Sequence, residues 1–280
     1  MKFGVNSLLW TSPFSTDDAS LIERAADMGF EVFEIGLEQP DLVDYSTIAN
    51  VAEQNDMDLV VCGTYGPDRD VSHEDPSVRR EGMEYVRECV RACREMGGDT
   101  VVGPAYSAVG KARMVPDEQR AEEWARAVEG LTECAEFARE RGVMLGLEPL
   151  NRYETDMINT AEQAVEFVEQ VDSPALGIHL DTFHMNIEEK NVADAIDTVG
   201  SRLVHVHASE NDRGTPGSGH VDWTAVRDAL SSAGYDGAVV IESFDPGVEE
   251  VARAASIWRP LAPSPDDLAQ DGLRFLRSHF

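Results

Sequence analysis

Short apolar runs separated by longer amphipathic segments recur eight times along the 280-residue chain, and this alternation constrains the fold more than any other feature. The runs are Phe3 to Leu9, Val32 to Gly36, Leu59 to Cys62, Thr100 to Val102, Met144 to Glu148, Leu176 to Asp181, Leu203 to His207 and Ala238 to Glu242. Near-continuous apolar runs of this length, each followed by a helical pattern, predict parallel strands buried on both faces and joined by crossover helices. The clearest helical segments are Ser77 to Met96 and Asp117 to Arg141, in which Val86, Val90, Val128, Leu131 and Ala135 recur at helical spacing. Gly29, Gly97 and Gly142 stand where helix C-caps are expected. Eight βα units in about 260 residues match the size of a (β/α)8 TIM barrel, which places the chain in the α/β class. No Ser/Gly linker or compositional break divides residues 1–280, so one domain is expected. A Pro-rich stretch from Trp258 to Pro265 breaks the pattern before a last helix, Pro265 to Ser278, which is expected to pack on the barrel or on a neighbouring subunit.

The surface of such a barrel must carry 53 Asp plus Glu against 23 Lys plus Arg, a formal net charge of −30. Phosphate backbones and anionic lipid headgroups repel a surface this acidic, so neither a nucleic acid nor a membrane is an expected partner. The 23 basic residues include three lysines, Lys2, Lys111 and Lys190, which leaves twenty arginines. This acidic, Lys-poor composition resembles that of halophile proteins, in which hydrated carboxylates keep the fold soluble in molar salt and repel one another when salt is removed. The four cysteines, Cys62, Cys89, Cys93 and Cys134, have neither CxxC spacing nor the density of a disulfide scaffold, so buried thiols are expected. The N-terminus shows no cleavage-site pattern, and no apolar stretch approaches the length of a membrane span, which points to a cytoplasmic protein.

The last four runs end in residues able to bind metal: Glu148 in LGLEPLN, Asp181 in GIHLDTFH, His207 in LVHVHASEND and Glu242 in VVIESFD. Their separations of 33, 26 and 35 residues each correspond to one βα unit. In a parallel barrel this places all four at the C-terminal rim on consecutive strands, where barrel active sites are built. Side chains alternate along a strand, so Met144 and Gly146 share the inward face with Glu148, Val240 with Glu242, and His205 with His207, while Val204 and Val206 are expected to face outward. A single acid at a strand end is ordinarily an ion pair or a helix cap. Several ionised groups in one enclosed lumen instead need a common cation. Three carboxylates and an imidazole form a hard, oxygen-rich donor set suited to one octahedral divalent cation, Mn²⁺ foremost, with Mg²⁺ and Co²⁺ compatible.

The stretches EPLNRYETDMINT from Glu148, HLDTFHMNIEE from His179, HVHASENDRGTPGSGHVDW from His205 and VIESF from Val240 resemble the ketose 3-epimerases. These include the D-tagatose, D-psicose and L-ribulose 3-epimerases of the xylose isomerase-like barrel superfamily. The resemblance implies a divalent-metal isomerase, homodimeric or homotetrameric, that inverts C3 of a small-molecule ketose. It assigns the metal to Glu148, Asp181, His207 and Glu242, and acid/base catalysis to Glu148 and Glu242. It places substrate contacts at Glu154, His184 and Arg213, and by looser matches in VNSLLW and GPAY at Trp10 and Tyr106.

The chemistry is consistent on its own terms. Polarising the ketose carbonyl acidifies the neighbouring C3–H and stabilises a cis-enediolate, from which one carboxylate removes a proton while another returns one to the opposite face. A metal-dependent aldose–ketose or hydroxypyruvate-type isomerase would use the same intermediate with proton return at C1 or C2. A sugar-binding module would need no opposed bases, and a DNA-repair nuclease on this barrel would need a basic groove and several metals.

Overall fold

β-branched and aliphatic residues dominate each of the eight short runs, and each run forms a strand. The computed structural model describes residues 1–280. The strands are β1 (Lys2–Asn6), β2 (Val32–Gly36), β3 (Asp58–Cys62), β4 (Thr100–Gly103), β5 (Met144–Leu147), β6 (Leu176–Asp181), β7 (Leu203–Ala208) and β8 (Ala238–Ile241). All pairings are parallel in chain order, and β1 pairs with β8 to close the barrel. The connecting helices are α1 (Ser20–Met28), α2 (Tyr45–Gln54), α3 (Pro76–Glu95), α4 (Asp117–Arg141), α5 (Ala161–Val171), α6 (Thr182–Glu188), α7 (Val192–Val199) and α8 (Trp223–Ser232), followed after β8 by α9 (Glu249–Ala254) and α10 (Pro265–His279). This is a (β/α)8 TIM barrel.

The helix ends follow the residue chemistry. Gly29 and Gly142 adopt left-handed φ of 99° and 65° as the C-caps of α1 and α4. α5 begins on a capping box between Thr160 and Gln163. The C-terminal helix packs on the barrel, with Leu268, Ala269, Leu273 and Leu276 buried in the main core and the Phe280 ring 6.2 Å from that of Phe3. All four cysteines are free and buried. No helix is long and apolar enough to cross a membrane.

Two apolar layers separate cleanly. A cluster of 62 buried residues fills the space between strands and helices. A second cluster, Val32, Val60, Cys62, Val102 and Val240, forms a dry plug inside the barrel. Above Val32 on β2 the next inward residue is Glu34, and beyond Val240 on β8 it is Glu242, so the lumen turns from apolar to ionisable toward the C-terminal rim.

Two local departures from simple alternation matter for the site. β1 ends at Asn6, three residues short of the expected Leu9, because the Asn6 Oδ1 accepts the Leu8 N–H at 2.8 Å and caps a 3₁₀ turn over Ser7–Leu9. On β7, Leu203 pairs with Ile178 and His205 with His179, which leaves Val204 as an extra residue. The bulge turns Val204 into the lumen, contrary to the outward orientation expected from parity. Its methyls occupy the space that side chains at Gly146 and Gly177 would need, and a Cβ at Gly177 would lie 2.3 Å from Val204 Cγ1. His205 and His207 nevertheless both face inward, because parity resumes after the bulge.

Candidate active site and metal centre

Glu148 and Glu242 lie one residue beyond β5 and β8, His207 lies on β7, and Asp181 closes β6. The structure brings these four together: one ligand atom from each lies within 4.8 Å of the others, and all four are buried. Asp181 is also the N-cap of α6. Its Oδ1 accepts the Phe183 N–H at 2.7 Å, which fixes the carboxylate with Oδ2 turned toward His207 Nδ1 at 3.8 Å. From the same Nδ1, Glu242 Oε2 is 3.3 Å away and Glu148 Oε1 is 4.0 Å away.

The other side of the His207 ring meets a residue that the sequence reasoning did not select. Glu34, fully buried on β2, places Oε1 2.7 Å from His207 Nε2 and Oε2 2.7 Å from His205 Nε2. Asn6 Nδ2 donates to the same Oε1 at 2.6 Å. Burial pushes the Glu34 carboxyl up, but the charge on His207 and His205 outweighs it and holds the group at about 2. The available signal was the lone acid in VFEIG, at the inward parity of Val32. His205 thus supports the site through Glu34 rather than through a ligand carboxylate.

With Nε2 facing Glu34, His207 presents Nδ1 to the three carboxylates, and this buried atom makes no hydrogen bond within the protein. Burial opposes charge on His207, yet Glu34 and Glu242 outweigh it and raise its pKa well above the usual histidine range. A positive charge is therefore favoured at the centre of the carboxylates, and three oxygen donors with one imidazole nitrogen suit a divalent cation in that place.

Arg213, His184 and Glu154 join the same cavity, which has a volume of about 450 Å³. The Arg213 backbone adopts φ 66°, an uncommon left-handed conformation for arginine. It is held by its N–H to Glu210 O at 2.9 Å and by Ser243 Oγ donating to its carbonyl. The guanidinium donates to Asp181 and, at 2.8 Å, to Glu242 Oε2, and stacks 4.1 Å over the Phe183 ring. His184 Nδ1 accepts the Asn151 N–H at 3.1 Å, while its Nε2 lies 3.1 Å from Arg213 Nη2 and 3.6 Å from Glu148 Oε1. Glu154 accepts from Asn151 Nδ2 at 2.7 Å, whereas the neighbouring Arg152 pairs with Glu188.

Two expected substrate contacts lie elsewhere. Trp10 does not line the cavity: the 3₁₀ turn carries it off the rim, and its indole donates to Asp266 of α10 at 2.9 Å. Tyr106 is fully buried behind the cavity wall, where its hydroxyl donates to Ile158 O at 3.0 Å. The loops after β1 and β4 set both outcomes through contacts with distant segments.

Residues 22–279 match the family model described as xylose isomerase-like TIM barrel. A probable ketose 3-epimerase from Synechocystis sp. is 34% identical over 280 residues, covering 100% of this chain and 97% of that protein. A ketose 3-epimerase from Arthrobacter globiformis is 34% identical, covering 99% and 96%. The chain belongs to the ketose 3-epimerase family. A solved structure of D-allulose 3-epimerase from Methylomonas sp. in complex with D-allulose superimposes with a TM-score of 0.94 at 30% identity, covering 100% of this chain and 97% of that one.

The two rim glutamates of this isomerase-class family member sit in unequal electrostatic surroundings. Burial pushes the Glu148 carboxyl well above its ordinary range, with His207 opposing and Glu242 and Asp181 adding repulsion. Burial acts on Glu242 in the same sense, but His207 and Arg213 outweigh it and hold that carboxyl well below its range. Asp181 is pushed up to about 6, by burial against the opposing Arg213. In the absence of a cation, their surroundings thus push the two glutamates in opposite directions.

Proposed function

We propose that this member of the ketose 3-epimerase family inverts C3 of a free ketose through a cis-enediolate, with Glu148 and Glu242 as the acid/base pair on opposite faces. The observation that carries the reading is the placement of the two glutamates. They lie one residue beyond β5 and β8, three of the eight strand steps apart, and both line the cavity. A divalent cation held by Glu148, Asp181, His207 and Glu242, Mn²⁺ by our assignment with Mg²⁺ or Co²⁺ compatible, would supply Lewis acidity to polarise the substrate carbonyl.

The chain's own groups account for the remaining requirements. One of the two glutamates takes the C3 proton of one epimer, and the other returns one to the opposite face; the reverse reaction exchanges the roles. Arg213, which keeps its charge throughout, holds a substrate oxygen and balances the carboxylates. His184 and Arg213, whose Nε2 and Nη2 lie 3.1 Å apart, together face an oxygen near the reacting carbons, and Glu154 accepts from a hydroxyl. The far part of the cavity favours an uncharged polyol over a phosphate. Its one further cation, Arg69, donates to Thr64 O at 3.2 Å and Glu38 O at 2.9 Å, while Glu38, Asp68 and Glu250 line the same space.

Exposed Met114 and Tyr153, on loops joined by the Lys111–Thr155 bridge, support assembly into a homodimer or homotetramer. Incubation of ketoses in D₂O with Mn²⁺-loaded enzyme tests the reaction class. Deuterium at C3 of the inverted product is expected, and label confined to C1 or C2 would replace this reading with aldose–ketose isomerisation.

A further inference from the structure

Four side chains are assigned above to the cation, but the orientation of one of them is set from across the barrel. Glu34 reaches His207 over a sequence separation of 173 residues, from β2 to β7, and its two oxygens are divided between the two inward histidines of that strand. Asn6 on β1 donates to the oxygen that faces His207, which fixes the plane of the carboxylate. His179 packs edge-to-face with His207, with ring centroids 4.0 Å apart at an interplanar angle of 78°. The ring is thus held at Nε2 by Glu34 and packed against His179, and its Nδ1 is left without a hydrogen bond toward the ligand carboxylates.

We infer that Glu34 is a positioning residue for the cation: its hydrogen bond to Nε2 fixes the tautomer and rotation of His207 so that the Nδ1 lone pair faces Glu148, Asp181 and Glu242. The physical argument is geometric. Rotating the ring by half a turn about its Cβ–Cγ bond would aim carbon instead of nitrogen at the carboxylates, and a buried carboxylate hydrogen-bonded to Nε2 penalises that rotamer. The inference rests on the proposed assignment of a divalent cation to the four-residue cluster.

The test compares wild type and Glu34→Gln, an isosteric variant that keeps the side-chain volume but presents a neutral, weaker acceptor. Each protein is stripped with chelator, and Mn²⁺ is titrated into it by isothermal calorimetry, with the metal-free Tm recorded in parallel. The expected result is a loss of Mn²⁺ affinity of about 10-fold, at the lower end of the effect of removing such partners, with no fall in the metal-free Tm. Affinity within twofold of wild type overturns the inference. So does an affinity loss accompanied by a fall in the metal-free Tm, which marks general loosening. A wild-type protein that takes up no Mn²⁺ would instead sink the metal assignment itself, so the two failures are distinguishable. Long-range ¹H–¹⁵N spectra of the Mg²⁺-loaded wild type give a second reading. They should show His207 protonated at Nε2, and protonation at Nδ1 would refute the inference.

Discussion

Replacing Glu242 by Gln separates the two halves of the proposed reaction. Glu242 Oε2 accepts from Arg213 Nη1 at 2.8 Å and lies 3.3 Å from His207 Nδ1. A glutamine carbonyl can still accept from Arg213, and the guanidinium keeps its bond to Asp181, so no buried cation is left unpaired. The change is then confined to one proton acceptor and one unit of ligand charge. Loss of a positioned general base costs about 10²- to 10⁴-fold in rate. At 1.36 kcal/mol per decade this corresponds to about 3–5 kcal/mol in the barrel's mouth. The informative assay is exchange rather than turnover. In D₂O the variant should still wash deuterium into C3 of the epimer whose proton faces Glu148, while the epimer whose proton faces Glu242 remains unlabelled. Glu148→Gln should show the mirror-image pattern. Equal labelling of both epimers in either variant, or turnover within tenfold of wild type, would refute the two-base reasoning.

Three further perturbations probe the electrostatics. Arg213→Ala removes a guanidinium that is 4% exposed and bonded to two buried carboxylates, so the metal-free protein should lose about 3–5 kcal/mol in urea titrations. Added Mn²⁺ should recover part of that loss; an equal loss with and without Mn²⁺ would contradict a shared role in neutralising the carboxylates. Away from the site, burial pushes the carboxyls of Glu123 and Asp156 up, but Arg113 on both and Arg120 on Asp156 outweigh it and lower them. Folded values below the unfolded ones mean that their stabilisation is complete above about pH 4 and is lost as pH falls through the folded values. Urea midpoints should drop below about pH 4 more steeply in wild type than in Glu123→Gln with Asp156→Asn, and parallel curves would count against this network. Finally, the net charge of −30 predicts that Tm rises by several degrees from dilute buffer to molar KCl, and a flat profile would remove the argument from self-repulsion.

The barrel and the candidate ligand set were legible for the same reason. Glu148, Asp181, His207 and Glu242 each sit at the end of a run whose type and inward face are encoded by its own residues, and a parallel closed sheet places such ends at one rim. The limits of the expected α4, Asp117 to Arg141, coincide with the observed ones, because a long amphipathic segment and a C-capping glycine act within a few turns. Local rules stopped working where neighbours in space are remote in the chain. Val204 turned inward because β6 forces an extra residue into its partner strand, which is a property of pairing rather than of LVHVHA alone. Trp10 and Tyr106 left the cavity because Asp266 and Ile158 captured their polar atoms.

By itself, then, the amino-acid sequence determined the period, number and order of the elements and which residues they present to the lumen, because these follow from steric and solvation preferences acting over a few residues. Only the closed tertiary structure decided that Glu34 and Asn6, from the first two strands, would hold His207 of the seventh, and that Arg213 would lie between Asp181 and Glu242. Those contacts exist because closure of the sheet brings opposite walls within hydrogen-bond reach, where buried charge must find a partner.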